Sequence, residues 1–132
     1  MSSTGQPKQQ TAQLARIARS EAEGIRVVEV VGELDISNIG DLEAAAFDFS
    51  NDGLGIVLDL SAASYIDSAT LRLLFKLHHG LQRRGQALRV VCPPQSSAAR
   101  VLELTGFSSI VACEADRRGA VAAIRRDVPL HE

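Results

Sequence analysis

A serine that follows an aspartate at the start of a helix can do two kinds of chemistry, and the segment Tyr65-Ile66-Asp67-Ser68-Ala69-Thr70-Leu71 sets up that choice. The Ser68 hydroxyl either caps the unpaired N–H groups of the first turn or stands at the surface as an acceptor for modification. Asp67 can share the capping task, so the two roles are compatible and the residues alone leave both open.

Other constellations in the chain carry less. Ser68, Asp67 and either His78 or His79 supply the residue types of a hydrolytic triad, yet no G-x-S-x-G elbow is present. A base ten residues along the same helix also lies about 15 Å away by helix rise. The adjacent histidines cannot chelate one metal from one helix face, and neither has a His or carboxylate partner at the i, i+4 interval. Gly53-Leu54-Gly55 leads into a strand and lacks the Gly-Lys-Ser/Thr of a phosphate-binding loop. Cys92 and Cys113 have no metal-ligand or redox spacing and read as buried thiols of a reducing cytoplasm. The expectation is a protein that is not an enzyme, with no metal and no cofactor.

The elements that position Ser68 follow from periodicity. The chain has 132 residues, 45% of them apolar, with no Trp, which suits one domain whose core of Val, Ile, Leu and Ala lies between a sheet and helices. Residues 1–10 are polar and read as a disordered leader, residues 11–126 as the domain, and 127–132 as a tail. A short first strand is placed at Thr11 to Arg19, hairpin-paired to Ile25–Val31. Ser37 or Asn38 caps a helix to about Phe49, stopped by Asn51-Asp52-Gly53. Gly55–Leu60 is a continuous apolar run, the pattern of a strand covered on both faces, and Ser61–Ile66 is read as a loop. A helix then runs from Asp67 or Ser68 to about Arg84, ending at Gly85. Ala87–Cys92 is a strand, Ser96 or Ser97 caps a helix through Leu104, Ser109–Ala112 is a last strand, and Asp116–Arg126 a last helix. The order β-β-α-β-α-β-α-β-α predicts an α/β fold with a mixed, mostly parallel sheet of four to five strands and about four helices.

A net charge of −2 and scattered arginines give no field for a phosphate backbone, so nucleic acid is not an expected partner. No apolar run approaches the roughly 18 residues of a membrane span, and the start lacks a signal-peptide core, so a cytoplasmic protein without membrane insertion is expected.

Two stretches together resemble the STAS domain, in particular bacterial anti-sigma factor antagonists. Gly32-Glu33-Leu34-Asp35 is similar to the family's G-E-L-D signature, and Tyr65-Ile66-Asp67-Ser68 before a Leu-rich helix is similar to its (F/Y)-(I/M)-D-S signature. The resemblance implies a STAS fold and a partner that is both anti-sigma factor and serine/threonine kinase. That partner binds the unmodified form, which releases a sigma factor, and phosphorylates the serine after the aspartate, here Ser68. Where the family commonly has D-S-S-G-L or D-S-T-G-L, Thr70 replaces the glycine. This departure leaves two readings, a narrower choice of kinase or a member that is not phosphorylated. The second would be a STAS scaffold subunit of a lipid-transport ATPase or of a sensory complex.

Placing the helix from Ser68 at 100° per residue puts Leu71, Leu74, Phe75, His78 and Leu81 on a core stripe about 120° wide. Thr70, Leu73 and Leu77 fall to one side of it, where they either widen the buried face or stand out as partner anchors. Arg72, Lys76, His79 and Arg83 line the polar side, a solvated face or one that meets an acidic patch. The candidate partner-binding set is therefore Glu33, Asp35, Asp67, Ser68, Thr70, Arg72, Leu73 and Leu77. The oligomeric state is open, a monomer or a weak homodimer.

Overall fold

A computed structural model describes residues 15–47 and 53–128. The chain opens as a hairpin: β1 (Ala15–Ala22) runs antiparallel to β2 (Ile25–Glu33), with Ala22 opposite Ile25. Glu23 and Gly24 both have positive φ, 55° and 82°, the handedness that a two-residue turn needs to match strand twist. The sheet continues in the order β1-β2-β3-β4-β5, and each pairing from β2 onward is parallel. Helix α1 (Ile39–Phe47) links β2 to β3 (Gly55–Tyr65), α2 (Ser68–Arg83) links β3 to β4 (Ala87–Val91), and α3 (Ser97–Leu104) leads towards β5 (Cys113–Glu114). Helix α4 (Arg117–Asp127) closes the described chain. Among the described residues, five strands and four helices give the α/β architecture expected from the sequence.

The helices divide unequally over the two sheet faces. Val28, Val30, Ile56, Leu58, Leu60, Leu88 and Val90 pack with residues of the first three helices in one cluster, where Phe75 and Phe107 meet edge to face at 4.9 Å. On the other face, among the described residues, α4 supplies the helical partners, Ala120, Val121 and Ile124, against Ile25, Val27, Val57 and Val91. All of Gly55–Leu60 is buried, as a strand covered on both faces must be. Gly55 is required by close approach: a Cβ there would lie 2.1 Å from the Ala87 carbonyl oxygen.

Caps end the helices where turn chemistry placed them. Asp67, Ser96 and Asp116 are the N-caps of α2, α3 and α4, each accepting an amide from the first turn. Gly85 and Gly106 follow α2 and α3 with φ of 74° and 80°. Asn38 precedes α1, and its side chain accepts the Asp35 amide at 3.0 Å.

Several boundaries differ from the sequence reading. Ser61–Ile66 is not a loop, because β3 continues to Tyr65; β2 extends to Glu33, and its last residues give Ala62, Ala63 and Tyr65 backbone partners. The final strand is Cys113–Glu114 rather than Ser109–Ala112. Phe107–Ser109 forms a 3-10 turn, and the amides of Ser109, Ile110 and Val111 are spent locally on Gly106 and Phe107 carbonyls, so they cannot join a sheet. β1 runs on to Ala22, three residues past Arg19. The leader, residues 11–14 of the expected first strand, Phe49, Asn51, Asp52 and the end of the tail lie outside the described residues.

Candidate functional site

The carboxyl ends of β2 and β3 meet. Glu33 is the register partner of Tyr65, and the Leu34 amide donates to the Tyr65 carbonyl at 2.8 Å. In an open parallel sheet this end is where connecting segments converge into a binding edge. Gly32 takes φ +108°, a conformation that L side chains rarely adopt, at the register shift between its pairing with Ala63 and that of Glu33 with Tyr65.

Asp35 organises the turn that follows. Its Oδ1 accepts the Ser37 hydroxyl at 2.5 Å and the Ser37 amide at 2.9 Å, and these bonds hold its carboxyl below the usual range. Asn38 ties the turn back to the sheet by donating from Nδ2 to the Glu33 carbonyl at 2.9 Å. At the crest of the turn Ile36 is 74% exposed, and across the edge Tyr65 is 51% exposed. Lone exposed apolar residues are ordinary; here two stand on the two segments that meet at one polar edge.

At the start of α2 the question left open by the residues is answered. Asp67 has extended backbone, φ −121° and ψ −172°, and its Oδ1 accepts the Thr70 amide at 3.1 Å and the Thr70 hydroxyl at 3.3 Å. The aspartate is the cap. Ser68 is therefore the first helical residue, exposed, and its hydroxyl makes no hydrogen bond among the described residues. Arg72 stands exposed one turn later, at the i+4 position that faces Ser68 along the helix surface.

The eight candidate residues differ in fate. Glu33, Asp35, Asp67 and Ser68 lie on the two segments that meet at the edge, and Arg72 follows one turn into α2. Thr70, Leu73 and Leu77 do not stand out: they are 0%, 5% and 0% exposed and belong to the buried face of α2. Helix α2 packs on α1 as well as on the sheet, so its apolar face is wider than a single stripe. The stripe itself shifts in consequence. Leu74 and Leu81 are buried as expected, whereas Leu71, Phe75 and His78 are only half-buried. Burial chiefly, helped by His79 and Arg89, lowers the His78 pKa. On the polar side Lys76 is engaged with Glu43 of α1 at 2.7 Å, while His79 and Arg83 are exposed.

Ile36 is an exposed apolar residue of the edge that the sequence reading did not single out; its signal was an isolated apolar side chain between Asp35 and Ser37 in a turn. Asp59 was missed as well. It interrupts the apolar run of β3, is 3% exposed, and meets Arg117 of α4. Cys92 is buried, Cys113 half-buried, and both are free. Among the described residues no group of His, Cys, Asp and Glu is placed to hold a metal ion, and no helix is long and apolar enough to cross a membrane.

Comparison with known proteins adds a family and a set of folds. A family model described as the STAS domain matches residues 16–120. BtrV of Bordetella bronchiseptica, provisionally named as an anti-sigma factor antagonist, is 29% identical over 115 residues, which cover 86% of this chain and 98% of that protein. The crystal structure of an anti-sigma factor antagonist from Mycobacterium paratuberculosis superposes with a TM-score of 0.77 at 24% identity, covering 86% of this chain and 96% of the other. The anti-sigma factor antagonist SpoIIAA in its unphosphorylated form superposes with a TM-score of 0.67 at 18% identity, over 86% of this chain and all of its own (100%).

Proposed function

The chain belongs to the STAS domain family, and from that premise we propose that it is an anti-sigma factor antagonist whose exposed edge binds an anti-sigma factor with serine/threonine kinase activity. In this reading unmodified Ser68 permits the complex and frees a sigma factor, and phosphorylation of Ser68 dissolves it. The name of BtrV supports the class of partner. The observation that carries the switch is the division of labour at α2: Asp67 closes the first turn, which leaves the Ser68 hydroxyl exposed and uncommitted.

Charge explains how one phosphate would act. It adds roughly −1.5 to −2 charge, which a helix N-terminus accommodates through its unpaired N–H groups and dipole. The fold is preserved. A partner seated on Ile36, Tyr65 and Ser68 would instead have to desolvate a dianion close to Glu33 and Asp35, against like-charge repulsion. A loss of about 3 kcal/mol at such an interface weakens binding by roughly two orders of magnitude. Phosphoryl transfer itself is assigned to the partner.

Thr70 is what favoured a scaffold that is never phosphorylated. Its side chain faces the core and touches Asp67 from the inside, so it is absent from the surface that a kinase would meet. The test is to incubate the protein with each serine kinase of the anti-sigma type from the same organism and ATP, then map phosphate by mass spectrometry. A single phosphate on Ser68 is expected, and its absence with every kinase would remove the switch.

A further inference from the structure

We infer that Asp59 is a positioning residue for the Ser68 edge: with Ser61 and Arg117 it locks the β3 register that presents Tyr65 and Ser68, so the first turn of α4 is a second control point on that edge. Only the functional consequence rests on the Ser68 reading, because register is a property of the fold.

Asp59 lies in the middle of β3, between Glu29 of β2 and Val91 of β4, and both of its oxygens are engaged. Oδ1 accepts the Ser61 amide at 2.9 Å and the Ser61 hydroxyl at 2.5 Å. Oδ2 accepts Nε of Arg117 at 2.5 Å, and Nη2 of the same guanidinium lies 3.1 Å from Glu29 Oε1. Such a site is filled by a charge only when it is fully paired, since an unpaired buried carboxylate is costly.

The grasp on Ser61 coincides with a break in the ladder. Glu29 pairs with Asp59, but Val31 pairs with Ala62, so β3 contributes one residue more than β2 within the Leu60-Ser61 step. The phase changes there. Ile56, Leu58 and Leu60 alternate into the first core, and the next residue in that core is Ala63, three positions on, where strict alternation would put residue 62. A second extra residue follows, since Gly32 pairs with Ala63 and Glu33 with Tyr65. Undoing the first bulge alone would slide the strand by one residue and reverse the facing of each side chain up to the second. Asp59 holds that bulge from within the strand, and Arg117 holds Asp59 from α4. A ligand or protein that draws Arg117 away would therefore loosen the segment that carries Tyr65 and Ser68.

The test compares Asp59→Asn, which keeps an oxygen for Ser61 but loses the charge, with Asp59→Ala, which loses both. Cross-strand amide and Hα contacts between residues 31–33 and 62–65 are read by NMR, without any partner. In Asp59→Ala they are expected to disappear or move by one residue while those between 26–29 and 56–59 persist; in Asp59→Asn, which keeps Ser61 but loses the hold of Arg117, they are expected to weaken without moving. Should Asp59→Ala not fold, the double variant Ser61→Ala, Arg117→Gln reads the same contacts. Retention of all of them in Asp59→Ala, or in the double variant, overturns the inference and leaves the ion pair as a stabiliser of α4 only.

Discussion

Asp67 Oδ1 stands 3.1 Å from the amide of Thr70 and 3.3 Å from its hydroxyl, so the aspartate rather than the serine beside it closes the first turn of α2. Two side chains of the signature thus face opposite ways: Thr70 inward to the core, Ser68 outward to solvent. Asp67→Ala is expected to cost about 1 kcal/mol in urea denaturation, the usual loss of a cap. Thr70→Gly is expected to cost about 1–2 kcal/mol, because it empties a buried site and loosens the backbone of a helix. If Thr70→Gly were neutral, the threonine would not be a core residue.

Because Ser68 does not cap, replacing it leaves the folding free energy almost untouched. Ser68→Asp is expected to change stability by no more than about 0.5 kcal/mol, since a negative charge in the first helical turn meets the favourable end of the dipole. Thermal melting of Ser68→Asp and Ser68→Ala checks this. A collapse of the aspartate variant would mean that phosphorylation acts by unfolding rather than through the surface.

Ile36 and Tyr65 carry the exposed apolar area of the edge. Ile36→Ala and Tyr65→Ala are expected to melt like the parent protein and yet weaken partner binding about tenfold or more each, as truncation of an interface anchor does. Leu73→Ala and Leu77→Ala are expected to behave in the opposite way, costing about 2–5 kcal/mol of stability as buried leucines do. Calorimetric titration beside thermal melting separates the two groups.

Stability should fall on acidification in two stages. Burial, the largest influence on Asp59, works to raise its pKa, but the Ser61 bonds and Arg117 together hold it below the ordinary 3.8. A carboxylate lowered in the folded state contributes stability above that value and loses it as pH falls through the folded pKa. His78 is lowered from 6.5, chiefly by burial, so its proton binds better to the unfolded chain and stability also declines as pH drops through about 6.5. Urea midpoints measured from pH 8 to pH 3 are expected to fall in both windows, with the lower step reduced in Asp59→Asn, Asp35 being lowered as well, and the upper one absent in His78→Gln.

Much of this was legible in the sequence because it rests on local rules. Alternation, caps and the glycines after helices located each described helix to within a few residues, and the tetrapeptides Gly32–Asp35 and Tyr65–Ser68 marked both sides of the edge. What stayed hidden depends on distant partners. The strand through Ser61–Tyr65 exists because β2 reaches Glu33 and gives it backbone partners, and no pattern in Ser-Ala-Ala-Ser-Tyr announces that. Leu73 and Leu77 fell inside because α1 covers a second side of α2, which a wheel drawn for one helix does not show. Asp59 looked like an interruption of an apolar run until Arg117, far along the chain, met it.

The central claim is a charge gate at Ser68, and the most direct measurement is the affinity of the kinase-type anti-sigma factor that modifies the protein for its Ser68→Ala, Ser68→Asp and phosphorylated forms, read by calorimetric titration alongside displacement of the sigma factor. Ser68→Ala is expected to bind tightly and release the sigma factor, whereas the phosphorylated form binds about a hundredfold more weakly and releases none, with Ser68→Asp displaced in the same direction. Equal affinity of all three forms would contradict it.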